Sequence, residues 1–424
     1  VKDRSVRKIC PSANIKADIH IPPSKSYTNR ALIAAALADG PSTILHASES
    51  DDSNLLYSGL QEFGARLTRK KDAIHANGLD GKLKAPEKEI YVGNAGTAMR
   101  FLSAFAAITP GTTVVTGDQQ MQQRPIEDLL AALKMAGVKC TSRDGRPPVT
   151  IYGGNFLGGN IDLDASISSQ YLSALLLIAP YAKRETTIRV KGHVSSLPYV
   201  DMTLHVMRSF GAIFEQIEMK TFIIDARQHY IGHDFPIEAD ASAATYFIAA
   251  AAITGGLVRI PHLSFESLQG DLRFLSIVKE MGCSVTTSES LIEVRGGHLG
   301  GIDIDMNAIP DCVPALAVVA AFADGPSVFH NIAHLRYKET DRLAALAREL
   351  TKIGARVELT DDGMAVHPNA QHGATIETYN DHRIAMGFAV AGLRIPGIVI
   401  QNPECVSKSF PTFWKEFEKV EGEN

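Results

Sequence analysis

Cationic and short polar side chains recur at the starts of alanine-rich stretches in this 424-residue chain. PPSKSYTNR supplies Lys25 as a point charge and Ser26 as a short donor. Arg30 follows four residues after Ser26, a planar fork on the same helical face. Such a trio suits a phosphate or a carboxylate. GNAGT has small residues at Gly93, Ala95 and Gly96, which let a ligand approach the backbone closely. The polar loop GDQQMQQRP ends in Arg124, just before Pro125, a residue favoured at helix starts. KETDR carries Lys338, Glu339, Asp341 and Arg342; its two cations are spaced i, i+4 and repel unless an anion or an acid intervenes. NDHR and VSKSFP add Arg383 and Lys408. These parts fit a site for a small substrate with more than one anionic group.

Other chemistries lack their signatures. No G-x-x-x-x-G-K-[ST], G-x-S-x-G or H-E-x-x-H occurs, and Ser5 to Lys8 matches S-x-x-K by spelling only. His330 and His334 are four apart, but a strand-to-loop passage is expected between them, so no metal site is expected. The net charge of -5 argues against a bulk electrostatic grip on nucleic acid. Five cysteines, scattered and without a C-x-x-C pair, read as reduced thiols of a cytosolic protein. The apolar runs 174–182 and 247–258 fall far short of the roughly 20 residues that span a bilayer.

The elements that must position these groups come from a repeat. LQEFGARLT, LKMAGVKCT, MRSFGAIFE, VKEMGCSVT and LTKIGARVELT share a helical stretch, a glycine and a strand-like run. Their glycines, 64, 137, 211, 282 and 354, lie 73, 74, 71 and 72 residues apart. Glycine enters the left-handed region without penalty, which a helix end needs in order to turn into a strand. Six alanine-rich, buried helices are expected to start near Ser26, Thr97, Ser168, Ser242, Cys312 and His382. Each leads into a strand-like run: PSTIL, TTVVT, TTIRV, LVRI, PSVFH and GIVIQ. The unit reads strand, helix, strand, helix, strand, strand, at about 71 residues per copy. The sixth copy stops at its second helix, and its missing strands are expected from the N-terminal VRKICPSANIKADIHI.

Three repeats per domain is the natural division. One domain, 1–22 plus 237–424, would hold both termini, and 23–236 would be inserted in it. The helix starts PPSKS, GNAGT, SISSQ, ADAS, IPDC and YNDHR are rich in capping residues. Helix N-termini favour anions, and several could face a common interdomain cleft. Plain N-capping explains any one of them as well. It does not explain the cations Lys25, Arg30, Arg100 and Arg383 beside them.

Eight segments carry a family resemblance: PPSKSYTNRALI, GNAGTAMR, RPIEDL, SSQYLSALL, DMNAIPD, RYKETDR, YNDHRIAM and SKSFP. In order and spacing the chain resembles the 5-enolpyruvylshikimate-3-phosphate synthase family along essentially its whole length. The resemblance implies a two-domain inside-out α/β barrel of six βαβαββ repeats. It implies transfer of the enolpyruvyl group of phosphoenolpyruvate to the 5-hydroxyl of shikimate 3-phosphate, releasing phosphate, in aromatic amino-acid biosynthesis. No metal or organic cofactor is implied. Both substrates are small molecules; a cytoplasmic monomer without nucleic-acid or membrane partner is expected. The terminal domain would form the phosphoenolpyruvate side and the inserted domain the shikimate 3-phosphate side.

Carried over by position, Lys25, Ser26, Arg30, Ser168, Ser169, Gln170, Ser196, Tyr199, Asp311 and Lys338 match shikimate 3-phosphate contacts. Lys25, Asn94, Gly96, Arg124, Gln170, Arg342, His382, Arg383 and Lys408 match the phosphoenolpyruvate side. Asp311 is the candidate base; Glu339 is the candidate proton donor at the methylene carbon, with Lys25 as competitor. Gly96 is expected to leave its loop open, so glyphosate should compete with phosphoenolpyruvate. Phe101, His334 and Leu197 depart from the family's usual residues. The related UDP-N-acetylglucosamine enolpyruvyl transferases generally carry a loop cysteine, which GDQQMQQRP lacks. RNA 3′-phosphate cyclases and a non-catalytic anion-binding relative are the more distant alternatives.

Overall fold

The computed structural model describes residues 5–13 and 15–422, so residues 1–4, 423–424 and Asn14 of the segments above lie outside the described residues. The described chain divides into two compact units, Pro23–Ile237, and Val1–Pro22 with Glu238–Asn424. Each unit has its own hydrophobic core.

The alanine-rich stretches form α1 (Lys25–Leu37), α3 (Gly96–Ile108), α5 (Ser169–Ile178), α7 (Ala241–Thr254), α9 (Val313–Ala320) and α11 (His382–Gly392). They alternate with α2 (Asp51–Glu62), α4 (Glu127–Met135), α6 (Pro198–Ser209), α8 (Arg273–Glu280), α10 (Arg342–Lys352) and α12 (Phe413–Phe417). The odd-numbered helices are apolar nearly all round, as helices buried on every face must be. In α7 all 14 residues are buried. Within each unit these helices pack on one another, α1, α3 and α5 in one, α7, α9 and α11 in the other. The even-numbered helices are amphipathic. Phe274, Leu275, Ile277 and Val278 of α8 are buried, while Arg273, Lys279 and Glu280 face water. The five repeat glycines adopt φ of +92°, +88°, +83°, +120° and +107°, the left-handed turn from helix to strand.

Each unit has three sheets around its central helices. In Pro23–Ile237 all are four-stranded: two parallel strands joined to an antiparallel hairpin, as in the order 90–91, 111–116, 146–153, 139–143. The six strand-like runs that follow the alanine-rich helices are all strands.

The N-terminal extension behaves differently from expectation. It is not one extended stretch that completes the sixth repeat. Among the described residues only Val6–Lys8 joins that sheet, pairing with Val399–Gln401, which gives it three strands there. Lys16–Asp18 instead pairs in parallel with Leu257–Arg259 of the fourth repeat. Phe235–Pro236, in turn, pairs with Ile44–Leu45 of the first. The strands before α1 and α7 are thus exchanged between sheets. The five cysteines are free thiols, and among the described residues no helix is long and apolar enough to cross a membrane.

Candidate active site

In the unit Pro23–Ile237 the polar residues gather at the starts of α1, α3 and α5. Ser24 caps α1, its side chain accepting from the Tyr27 N–H, and Ser168 caps α5 by accepting from the Gln170 N–H. Lys25 Nζ lies 2.9 Å from the buried Asp52 carboxylate. Arg30, 2% exposed, donates to Thr203 Oγ1 at 2.7 Å, Ser173 Oγ at 3.3 Å, and the carbonyls of Ser26 and Tyr199 at 2.9 Å each. These four partners are all neutral oxygens. Burial pulls its pKa down to about 10, so the guanidinium stays charged at neutral pH, in a site where an anion would offset its desolvation. Phe101 contributes a ring 5.6 Å from that guanidinium.

The start of α3 meets the Arg124 loop. Arg124 Nη1 donates to Asn94 Oδ1 at 3.4 Å, and Asn94 Nδ2 donates to Gln120 Oε1 at 2.8 Å. A Cβ built on Gly96 would lie 2.8 Å from Arg124 Nη2, closer than real contacts allow. Gly96 is therefore not an opening; its missing side chain is the space in which the Arg124 guanidinium sits. Gln170 Nε2 donates to Thr97 Oγ1 at 3.3 Å, tying α5 to α3. Ser196 holds φ +57° just before α6, and Tyr199, in its first turn, gives its carbonyl to Arg30.

The second unit holds a dense charge cluster. Arg342, 1% exposed, donates through Nε to Asp381 at 2.8 Å, through Nη1 to Asp311 at 3.0 Å and through Nη2 to Glu339 at 2.6 Å. Arg383 Nη2 donates to the other Asp311 oxygen at 2.6 Å. Lys408 Nζ lies 3.7 Å from Glu339. Burial alone would push Asp311 up, but Arg383, Lys338 and Arg342 together hold its carboxyl well below the usual range. Burial likewise opposes the Arg342 charge, and Asp381, Glu339 and Asp311 overcome it, pushing its pKa up. Asp381 also caps α11, accepting from the Arg383 N–H at 2.9 Å. His382 is buried beside it, Nδ1 3.6 Å from Asp381 Oδ1. Among the described residues no group of three or more His, Cys, Asp or Glu side chains is placed to hold a metal ion.

A family sequence model described as EPSP synthase (3-phosphoshikimate 1-carboxyvinyltransferase) matches residues 9–417. The chain belongs to the EPSP synthase family. A relative from Trichormus variabilis named 3-phosphoshikimate 1-carboxyvinyltransferase is 44% identical over 414 residues, covering 96% of this chain and 97% of its own. One of the same name from Aliivibrio salmonicida is 41% identical, covering 97% and 98%. The solved EPSP synthase from Acinetobacter baumannii superposes with a TM-score of 0.82 at 29% identity, over 98% of each chain. The enolpyruvyl transferase NikO from Streptomyces tendae, at 17% identity and a TM-score of 0.78 over 98% and 97%, shares the fold. That fold is the two-domain inside-out α/β barrel.

Two local expectations need correction. Lys338 and Arg342 do not share a helical face: α10 begins at Arg342 behind the cap Asp341, and Lys338 precedes it as the residue that ends the 3-10 turn Ala333–Tyr337. Pro125 does not start α4, which begins at Glu127; its carbonyl instead accepts from Arg100 Nη2 at 2.8 Å and Tyr171 Oη at 2.7 Å. Of the residues that the resemblance matched to phosphoenolpyruvate, Lys25, Asn94, Gly96, Arg124 and Gln170 fall in the unit Pro23–Ile237, and Arg342, His382, Arg383 and Lys408 in the other. Of those matched to shikimate 3-phosphate, Asp311 and Lys338 fall in the unit that holds Glu238–Asn424.

The EPSP synthase motifs as read also passed over groups that the geometry brings in. Asp381 stood visible in NDHR, and its cap position was a usable signal; its second role on Arg342 was not. Asp52, Thr203 and Ser173 reach Lys25 and Arg30 from 27, 173 and 143 residues away, with no local signature.

Proposed function

We propose that this chain transfers the enolpyruvyl group of phosphoenolpyruvate to the 5-hydroxyl of shikimate 3-phosphate and releases phosphate. The observation that carries the reading is the Arg342 cluster, where two carboxylates suited to proton transfer, Asp311 and Glu339, are hydrogen-bonded to one buried guanidinium. In the same reading Lys25, Ser26, Arg30, Ser168, Ser169, Gln170, Ser196 and Tyr199 hold shikimate 3-phosphate, with Lys338 and Asp311 at its reacting side. Lys25, Asn94, Gly96, Arg124, Gln170, Arg342, His382, Arg383 and Lys408 hold phosphoenolpyruvate.

In the first step Glu339, protonated once the anionic substrates draw Arg342 and Lys408 away from it, gives that proton to C3 of phosphoenolpyruvate while the 5-hydroxyl oxygen bonds to C2 and its own proton passes to Asp311. The tetrahedral product then returns a proton from C3 to the Glu339 carboxylate as its C2–O bond to phosphate breaks, Asp311 gives its proton to the departing phosphate, and the C2–C3 double bond forms. Asp311 as it stands is a weak base, because its cationic neighbours favour the ionised form. An anionic substrate would draw Arg342 and Arg383 toward itself and away from Asp311, raising its basicity only when the site is filled. Arg124, Arg342, Arg383 and Lys408 would then stabilise the charge that develops as phosphate leaves. The reading includes a cytoplasmic monomer without nucleic-acid or membrane partners; five free thiols fit a reducing compartment.

Phosphate release from phosphoenolpyruvate tests the reading, measured with shikimate 3-phosphate, with UDP-N-acetylglucosamine and with neither. Release is expected with the first alone, and glyphosate should suppress it competitively with phosphoenolpyruvate. Release only with the UDP sugar, or none, overturns it.

A further inference from the structure

The Lys25–Asp52 pair is more elaborately built than an ion pair for stability needs to be. The two side chains are 13% and 4% exposed, and the distance is 2.9 Å. A pair this dry adds little net stability, because desolvating both ions offsets their attraction. Its surroundings instead fix its geometry. Asp52 sits in the first turn of α2, where the helix dipole favours a carboxylate. The turn before α2 is fastened by a chain of buried hydroxyls, Ser48 to Ser50 at 3.0 Å and Ser50 to Ser53 at 3.1 Å. That turn is tied in turn to the start of α1. The Ser48 N–H donates to Thr28 Oγ1 at 3.0 Å, and Thr28 Oγ1 donates to the Ser24 carbonyl at 2.9 Å. Ser24 is the cap of the helix whose first residue is Lys25.

We propose that Asp52 is a positioning residue for Lys25, holding its ammonium in place as a fixed charge for an anionic group of phosphoenolpyruvate. The inference rests on the transferase reading above and deepens it. In this reading Lys25 serves binding and Glu339 remains the acid at C3.

The test is a cycle of Asp52→Asn, Lys25→Met and the double variant, with Asp52→Glu alongside. Phosphoenolpyruvate binding in the presence of shikimate 3-phosphate is read by titration calorimetry, and turnover by phosphate release. Asp52→Asn should weaken phosphoenolpyruvate binding and raise its KM by about tenfold, with a smaller loss of shikimate 3-phosphate affinity, because Lys25 serves both substrates in the reading above. Asp52→Glu should recover most of the loss. In the Lys25→Met background the Asn substitution should add less than about twofold, since its target is gone. Unchanged phosphoenolpyruvate binding in Asp52→Asn overturns the proposal, and so does an equal loss with and without Lys25, the mark of a merely structural role. A parent that binds both substrates yet releases no phosphate counts against the transferase reading and leaves the binding cycle to decide Asp52.

Discussion

Replacing Asp381 by Asn removes one buried charge and turns one of its two acceptor oxygens into a donor. Asp381 is fully buried, receives Arg342 Nε at 2.8 Å and Nη2 at 3.4 Å, and caps α11 through the Arg383 N–H at 2.9 Å. Asn caps helices about as well as Asp and has nearly the same volume, so the cap survives. What goes is the negative charge opposite a guanidinium that is 1% exposed. Removing one partner of a buried pair costs about 3–5 kcal/mol. Arg342 keeps Asp311 and Glu339, which puts the expectation at the lower end, about 3 kcal/mol. In a unit of roughly 200 residues each kcal/mol moves Tm by about 2–4 °C, so the transition of that unit should fall by roughly 6–12 °C. Asp381→Ala loses the cap as well, about 1 kcal/mol more. Differential scanning calorimetry of the parent and both variants gives the comparison, with the two units allowed separate transitions. A Tm for Asp381→Asn within about 2 °C of the parent would refute the claim that charge holds Arg342. Equal losses in the Asn and Ala variants would refute the capping argument.

Two further outcomes follow from the geometry. Gly96→Ala puts a methyl 2.8 Å from Arg124 Nη2, so the guanidinium must move; KM for phosphoenolpyruvate should rise by about tenfold or more while shikimate 3-phosphate binding, by calorimetry, stays level. An unchanged KM would mean Arg124 is not placed by that contact. Asp311→Asn should lower kcat by about 10²- to 10⁴-fold and retain shikimate 3-phosphate binding. Because the Asp311 pKa is depressed in the folded protein, its stabilisation is fully present above the unfolded value near 4 and is lost as pH falls toward the folded one. The stability gap between parent and variant, from urea midpoints, should be flat from about pH 8 to 5 and shrink below about pH 4; a gap that widens in acid contradicts this.

The repeat was readable in the sequence because it rests on local physics. Gly211 must be glycine to hold φ +83° at the end of α6, and Ala249, Ala250 and Ala251 must be small for α7 to be buried on every side. Local signals of this kind survive in one dimension. Lys25, Arg30, Asp311 and Arg342 were legible as cations and acids at helix starts for the same reason. What they bind to in the resting protein was not. Arg30 is held by Thr203, and Lys25 by Asp52, through contacts that only tertiary packing creates. Gly96 shows the difference most sharply. Its smallness was visible, but whether a backbone, a ligand or a guanidinium fills the space depends on Arg124, 28 residues away.

The exchanged strands were beyond the periodicity for a related reason. Lys16–Asp18 and Phe235–Pro236 look like the first strands of their own repeats, and a repeat argument assigns each to the sheet it precedes. Parallel pairing constrains only that the strand lie beside its neighbour and that a helix make the crossover. Two equivalent repeats can therefore trade first strands at no cost in hydrogen bonds, which is what the pairs with Leu257–Arg259 and Ile44–Leu45 amount to. The trade puts the chain's two passages between units immediately before α1 and α7. Lys25 and Ser26 thus sit two and three residues beyond one passage, and Asp240, the cap of α7, just beyond the other. The Asp240 N–H donates to the Pro22 carbonyl at 2.8 Å, so the two passages are bonded together.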